Sequence, residues 1–357
     1  MVLVALAVLV ASFVKVNEYA ITPGYSQPVG PLITVSGHAH DATRRSILLT
    51  DVYVTKLSAL QWLVALVHPV HEQLLSGEEL TGPNVPPSEL IRQGYLEMYD
   101  SQNDAKVAAM RELHYDVRGV PAGATVTAVA TTSASGLRVA DRIVAARGHA
   151  VTGVCSLVTA LHGAVPGQPV ALTVRRASVS GTGTITYASP TTVSVPTGTV
   201  PPREANSGCP GAAARTAWLG IALENAIQWT FPISVTINTA DIGGPSAGLA
   251  MTLGVIDALS KGPLTGHVRI AATGTIDPSG NVGDVGGVAE KTIAVESAGA
   301  TVFLVPPQEL GVAQSSASGG LRVIAVSTLD QALTAIEGVG GHAPVPITDP
   351  ATASATS

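Results

Sequence analysis

One stretch of the sequence limits the possible folds more than any other, because it is unsuited to a packed core. From Ser178 to Ala213 the chain is dominated by serine, threonine, glycine and proline, which favour turns and connecting segments. The chain of 357 residues is also longer than one ordinary hydrophobic core accommodates, so two or three domains are expected. We therefore place a domain boundary near residue 200.

The composition describes a globular protein and argues against a nucleic-acid partner. Hydrophobic residues make up 46% of the chain and charged residues 12%, and the formal net charge is -6. The lysines and arginines are scattered, whereas a nucleic-acid surface usually shows them clustered. No cofactor motif is evident, and we expect neither nucleic acid nor a metal ion to be bound.

The N-terminal segment is apolar and carries no charge from Val2 to Val14. It is shorter than the roughly 20 apolar residues that span a bilayer. We interpret residues 1–16 as a transmembrane signal anchor whose true start lies upstream, with the alternative that it is a buried strand or helix of a soluble domain.

Residues 17–117 predict a mixed α/β region without evident chemistry. Short strand-like runs precede a stretch with helical periodicity over residues 86–114, with Ser88 as a plausible N-cap and a break near residues 100–103. The polar residues with metal-ligand spacing are more consistent with solvated loops, since no third cluster accompanies them. They are His38, His40, Asp41, His68 and His71.

Residues 118–200 show short strands, a helix and an alternating strand, and this order resembles a PDZ domain. The resemblance rests on Asp141 before an apolar strand, the turn at Gly148, and the final strand ending in Arg175 and Arg176. Ala140 departs from it, since many PDZ domains have glycine there. The resemblance implies capture of an extended peptide at a sheet edge; the alternative is a small β-barrel that only packs.

The chain has two cysteines, and the sequence favours two unpaired thiols. Cys155 and Cys209 belong to no CxxC motif or metal-spaced cluster. They fall in segments that we assign to different domains, although an oxidising compartment would permit a disulfide.

Beyond the boundary, strands and helices alternate from residue 205 to residue 340, which is typical of an α/β or α+β layer arrangement. The whole chain is therefore predicted to be an α+β multidomain protein. Residues 341–357 have the composition of a disordered tail.

A serine in the sequence TADIGGPSAGLAMTLG, Ser246, is the candidate nucleophile. A serine hydroxyl needs an adjacent base, and neither histidine of this region is well placed by the sequence. A lysine that burial keeps neutral can also serve. Lys261 lies at a helix end where a cation stays hydrated, whereas Lys291 lies in the first turns of a helix, whose dipole disfavours its charge.

The motifs GGPSAGLAM around Ser246 and GGVAEK ending in Lys291 resemble the Lon-type serine peptidase domain, over residues 205–340. Thr273, in TGTID, matches the threonine that hydrogen-bonds the lysine in that family. The resemblance implies a catalytic set of Ser246, Lys291 and Thr273. The order of anchor, PDZ-like module and Lon-type domain further resembles the membrane-anchored, secreted peptidases of Gram-positive bacteria.

Two departures from cytosolic Lon qualify this resemblance. Gly243 stands where that pattern has an aspartate, and no GxxxxGK[ST] motif occurs in the sequence.

From this we predict an ATP-independent serine endopeptidase that uses a Ser-Lys dyad on unfolded or flexible polypeptides. Its PDZ-like groove would capture peptides, and it would be a single-pass protein of the cell membrane with an extracytoplasmic catalytic domain. The alternatives are a membrane-anchored peptide-binding scaffold without catalysis and, for the site itself, a serine N-cap with a surface lysine.

Overall fold

The structure is a computed structural model, and it describes residues 2–37, 46–67, 73–81, 89–130, 133–180, 184–200, 208–209 and 217–347. Helices and strands are mixed along the chain, in agreement with the predicted α+β class. The helices are α1 (Val2–Phe13), α2 (Ala59–Val67), α3 (Gly77–Thr81), α4 (Leu90–Glu112), α5 (Val154–Ala160), α6 (Gly248–Ala258), α7 (Val288–Ser297), α8 (Leu310–Ser316) and α9 (Leu329–Glu337).

The strands are β1 (Lys15–Pro28), β2 (Ile33–Val35), β3 (Ile47–Ser58), β4 (Gln73–Ser76), β5 (Arg118–Val129), β6 (Arg142–Ala146), β7 (His149–Ala150), β8 (Val170–Arg175), β9 (Ala177–Val179), β10 (Ile185–Tyr187), β11 (Thr191–Val195), β12 (Gly198–Thr199), β13 (Ala217–Trp218), β14 (Ile221–Thr230), β15 (Val235–Ile237), β16 (Ile270–Ala272), β17 (Thr275–Ile276), β18 (Val282–Gly283), β19 (Val302–Val305) and β20 (Arg322–Ala325). The predictions for His38, His40, Asp41, His68, His71 and Ser88 lie outside the described residues.

The main sheet has the strand order β20-β19-β16-β3-β1-β4 and carries helices on both faces. Its strands run parallel from β20 to β3, and β1 is antiparallel to both of its neighbours. Side chains alternate between the faces: Ile47 and Leu49 contact the core beneath α4, α6 and α9, whereas Leu48 contacts the core beneath α7 and α8. Two hydrophobic layers therefore hold this sheet.

This sheet joins two regions that the sequence analysis assigned to separate domains. Strands β1 and β3 come from the predicted region 17–117, and β16, β19 and β20 come from the predicted region 205–340. Helix α4 is continuous where a break was predicted, and it packs on the same core as α6. Local periodicity indicates that a strand forms but not which distant strand pairs with it, so the shared sheet could not be inferred from the pattern.

A second sheet, with the order β11-β8-β6-β5-β14, forms a module with helix α5 and its own hydrophobic core. We call residues 118–230 the inserted module, because the chain enters it after α4 and leaves it toward β15. The prediction ended this unit at residue 200, but β14 pairs with β5 along ten residues and extends it to Thr230. The segment near residue 200 therefore connects strands of one unit.

The two cysteines form a disulfide, which corrects the expectation of unpaired thiols. Cys155 lies in α5, and Cys209 lies 54 residues later with its Cα 5.4 Å from that of Cys155. The sequence analysis assigned the two cysteines to different domains because it placed a boundary near residue 200. Because the inserted module continues past it, Cys209 returns to the same unit.

The N-terminal helix α1 has 12 residues and packs against α2. No helix among the described residues is both long and apolar enough to cross a bilayer. Both helices nevertheless expose large apolar side chains, including Val2, Leu6, Leu9 and Phe13 of α1 and Leu63, Val64, Leu66 and Val67 of α2. Together they form an exposed apolar surface.

Part of the predicted disordered tail is ordered. The backbone N–H of Lys261 donates to Val345 O at 2.7 Å, and the N–H of Ile347 donates to Leu259 O at 2.9 Å. These bonds anchor residues 341–347 beside the end of α6, and residues 348–357 lie outside the described part of the chain.

Candidate active site

The predicted nucleophile, Ser246, is half-buried in a tight turn directly before α6. The Gly248 N–H donates to Pro245 O at 3.1 Å and closes the turn around it. Gly244 has a φ of 86°, in the left-handed region that glycine adopts readily, so the chain can reverse there. The residue at the N-cap position is Ala247, and no side chain caps the helix. Ser246 therefore does not have the capping role that the alternative reading of the site assumed.

The predicted base, Lys291, lies in the first turn of α7 and is buried. Only 2% of its surface is exposed, so it is not the surface lysine of that alternative. The N-cap residue Gly287 has a φ of 68° and starts the helix there. The basic group is thereby enclosed by protein, in surroundings that disfavour an ammonium charge.

The Thr273 hydroxyl connects the two predicted residues. Thr273 follows β16 and is fully buried. Its Oγ1 accepts a hydrogen bond from Lys291 Nζ at 3.3 Å and donates one to the backbone oxygen of Ser246 at 3.2 Å. The Gly274 N–H donates to the same Ser246 oxygen at 3.0 Å. The structure thus brings all three predicted site residues together around one hydroxyl.

Burial lowers the pKa of Lys291 to about 8. The nearby carboxyl groups of Asp51, Glu309 and Glu290 oppose this shift but do not overcome it. Asp51, on β3, was not found by the sequence analysis, because its strand was assigned to another domain. An amine with a pKa of about 8 is partly neutral near neutral pH and can accept a proton.

The serine and the lysine are not joined directly. Within the described residues, Lys291 Nζ donates to Thr273 and no hydrogen bond links it to the Ser246 hydroxyl. Catalytic hydrogen bonds are often long without substrate and tighten when it binds. The Ser246 N–H donates to no group in the described part of the chain, so it can donate to a bound oxyanion.

Helix α4 supports the turn that carries Ser246, a role that sequence reasoning missed. Gly94 O accepts from the Gly244 N–H at 2.8 Å, and Ser101 Oγ donates to Pro245 O at 3.1 Å. The second pair is 144 residues apart in sequence. Such a contact leaves no local pattern, and we know of no signal that could have revealed it.

Gly248, two residues after the serine, lies where α6 approaches its neighbours closely. A Cβ at this position would lie 2.8 Å from Ile276 N and 3.0 Å from Ser101 Oγ. Gly248 therefore permits close packing of α6 against its neighbours.

A cleft of about 480 Å³ opens beside the turn, between the inserted module and α4. Ser101, Pro245 and Thr275 line one side, and Thr127 and Leu223 of the module line the other. The cleft therefore reaches Pro245, the residue directly before Ser246.

The lining of the cleft is acidic. It includes the carboxyl groups of Glu97, Asp100, Asp104 and Glu224. Burial, together with the neighbouring Glu224 carboxyl, raises the pKa of Asp100 to about 8; burial, together with Asp277 and Glu224, raises that of Asp104 to about 7. Among the described residues, no group of three or more histidines, cysteines or carboxylates is arranged to hold a metal ion.

Comparison with known proteins points to one family for the C-terminal half. Residues 214–337 match the family model of the Lon protease (S16) C-terminal proteolytic domain. The chain is 51% identical over 65 residues to a Lon protease of Clostridioides difficile (strain 630), covering 18% of this chain and 8% of that protein. It is 30% identical over 165 residues to a Lon protease of Haemophilus influenzae (strain ATCC 51907 / DSM 11121 / KW20 / Rd), covering 45% and 20% respectively. The chain thus spans between 8% and 20% of the length of these relatives.

Proposed function

From the premise that this chain carries a Lon-type serine protease proteolytic domain, we propose that it is an ATP-independent endopeptidase with a Ser246–Lys291 dyad. The observation that carries the proposal is the Thr273 hydroxyl, which contacts both the buried lysine amine and the backbone of the serine. The absence of a GxxxxGK[ST] motif from the sequence supports the proposed ATP independence.

In peptide-bond hydrolysis, each residue of the site can take one role. The neutral Lys291 amine accepts the Ser246 proton while Oγ attacks the carbonyl carbon of a peptide bond. The Ser246 N–H donates to the oxyanion. The carbon–nitrogen bond then breaks, and the leaving amine takes the proton from Lys291. A water molecule, deprotonated by the same amine, then attacks the acyl carbon; the ester bond to Ser246 Oγ breaks, and Lys291 returns the proton to Oγ.

Covalent labelling tests this assignment. A serine-directed probe should modify the parent protein at Ser246 and should fail with Ser246→Ala and Lys291→Met. Thr273→Val should label and cleave roughly 10 to 100-fold more slowly, since it loses a positioned hydrogen bond. Lys261→Met is the matched control, because that lysine is exposed and outside the site. Equal labelling of the parent and Lys291→Met would remove the dyad, whereas a parent that labels no faster than Ser246→Ala would favour a scaffold without catalysis.

We propose that substrates are unfolded or flexible polypeptides. Ser246 is half-buried, and the cleft of about 480 Å³ that reaches Pro245 beside it is too small for a folded domain to enter. An unfolded protein should therefore be cleaved rapidly, and a stable fold without flexible ends slowly. Equal cleavage rates for the same protein folded and unfolded would contradict this restriction.

The inserted module is proposed to act as the PDZ-like peptide-capture unit. β14 lies at the end of its sheet, and within the described residues no strand pairs with its outer edge. Helix α5 lies beside this edge, where the Val154 N–H donates to Asn225 Oδ1 at 2.8 Å. An extended peptide could add to β14 as a further strand. Hydrogen exchange should then slow in residues 221–225 when peptide binds, and unchanged exchange there would contradict the assignment.

We further propose attachment to the cell membrane through the N-terminal apolar segment, with the catalytic part outside the cytoplasm. The apolar side chains that α1 exposes support a lipid contact. The Cys155–Cys209 disulfide is favoured in oxidising compartments. Protease added to intact cells should digest the catalytic part; full protection by an intact membrane would contradict this placement.

A further inference from the structure

Helix α4 contacts the nucleophile-bearing loop at three points. Gln102 Nε2 donates to Thr239 Oγ1 at 2.9 Å, at the start of the loop. Gly94 O accepts from the Gly244 N–H at 2.8 Å. Ser101 Oγ donates to Pro245 O at 3.1 Å. The helix therefore follows the loop from its start to the residue before Ser246.

The contact of Ser101 is the closest of these to the chemistry. The carbonyl oxygen of Pro245 accepts both the Gly248 N–H, which closes the turn, and the Ser101 hydroxyl. Ser101 is 5% exposed, so water competes little for this bond. Its hydroxyl thus fixes the orientation of the Pro245 carbonyl. That carbonyl belongs to the turn that sets the direction of the Ser246 side chain.

The approach of α4 depends on the absence of side chains at this place. A Cβ at Gly243 would lie 3.3 Å from the carbonyl carbon of Gly94, and a Cβ at Gly248 would lie 3.0 Å from Ser101 Oγ. Both distances are shorter than ordinary van der Waals contacts. The two glycines flank the serine, so the motif itself is shaped to accept the helix.

We propose that Ser101 is a positioning residue for the nucleophile, acting through the Pro245 carbonyl. The proposal rests on the peptidase function assigned above, and it adds a residue from a helix outside the matched domain. Without the hydroxyl, the turn samples more orientations, and fewer of them direct Ser246 Oγ toward substrate and Lys291.

The test compares Ser101→Ala with the parent by kcat, KM, pH profile and rate of covalent labelling. We expect kcat and the labelling rate to fall roughly tenfold, since a change of about 1.4 kcal/mol in the barrier has this effect. KM and the pH midpoint should stay unchanged, because Ser101 offers a substrate little surface and its hydroxyl bonds Pro245 rather than Lys291. Ser101→Cys, which has a weaker donor of similar size, should give a kcat and a labelling rate between those of the parent and of Ser101→Ala.

Asn103→Ala is the matched control, because Asn103 Nδ2 donates to Tyr99 O within α4 rather than to the loop. It should keep the parental kcat even if it lowers the unfolding midpoint as much as Ser101→Ala. Parental kcat and labelling in Ser101→Ala would overturn the proposal while leaving the peptidase assignment intact. An inactive parent protein that labels no faster than Ser246→Ala would instead overturn the assignment itself.

Discussion

At the scale of single residues, the site depends on an amine that the fold keeps away from water. Lys291 is almost fully buried, and its Nζ has the Thr273 hydroxyl as its hydrogen-bond acceptor. A hydroxyl oxygen accepts this bond from the neutral amine as well as from the ammonium, so it orients the group without requiring a charge. Thr273 can therefore hold the Lys291 amine in place both when the amine is neutral and when it carries a proton.

The pH dependence of activity should report this amine. The pKa of Lys291 is lowered to about 8, and only the neutral amine accepts the Ser246 proton. We expect kcat/KM to rise with pH through one ionisation near pH 8 and then to level off. Profiles measured on a small unfolded peptide check this. A rate that stays flat from about pH 5 to 9 would indicate another base.

At the scale of elements, α4 connects the two parts of the molecule. Arg92 donates to Val139 O at 2.6 Å and to Ala177 O at 2.9 Å, both in the inserted module. Two turns further along, Ser101 contacts the nucleophile loop. Between these contacts, the Asp100 carboxyl of α4 faces Glu224 of β14, close enough for a protonated carboxyl to donate to a carboxylate.

This carboxyl pair should make stability depend on pH. The raised pKa of Asp100, about 8 against 3.8, means that the folded state retains a proton that the unfolded state loses. The free energy of unfolding should therefore fall as pH rises from about 4 to about 8. Asp100→Asn, which needs no proton, should be more stable than the parent at pH 8.5 and little different at pH 4.5.

Urea unfolding at the two pH values measures this difference. Asp116→Asn is the control, because Asp116 is an exposed partner of Arg118 away from the cleft. A gain in Asp100→Asn that is the same at both pH values would show that the pair does not titrate between them.

The sequence indicated the residues of the candidate site, but not the assembly around them. Ser246, Thr273 and Lys291 lie in short motifs whose spacing is visible in one region of the chain. Asp51 and Ser101 reach the same site from strands and helices far away in sequence, and their neighbours give no sign of it. The pairing of Cys155 with Cys209 was missed for the same reason: it depends on where the inserted module ends.

At the scale of the whole molecule, one polypeptide crosses twice between its two units. It passes from α4 into β5, and it returns from β14 to β15, which pairs with β2 near the N-terminus. Cleavage of one of these two chain connections therefore leaves the inserted module covalently attached to the rest of the protein through the other.

The disulfide should contribute to the stability of the inserted module. It closes a loop with a sequence separation of 54 residues, which reduces the number of conformations open to the unfolded chain. Replacing both cysteines by serine should lower the free energy of unfolding by about 2 to 4 kcal/mol. Urea unfolding of the variant and the oxidised parent checks this, and equal midpoints would contradict a structural role.

The position of β3 beside β16 also determines when the main sheet can be completed during synthesis. During synthesis β3 is complete more than two hundred residues before its parallel partner at Ile270–Ala272 exists. Contacts between such distant segments form slowly, because a long loop must close first. In the newborn chain β3 can pair with β1 on one edge, while its other edge stays open until residues 270–272 have emerged. Under the proposed function, proteolytic activity is deferred until Ser246, Thr273 and Lys291 have all been synthesised.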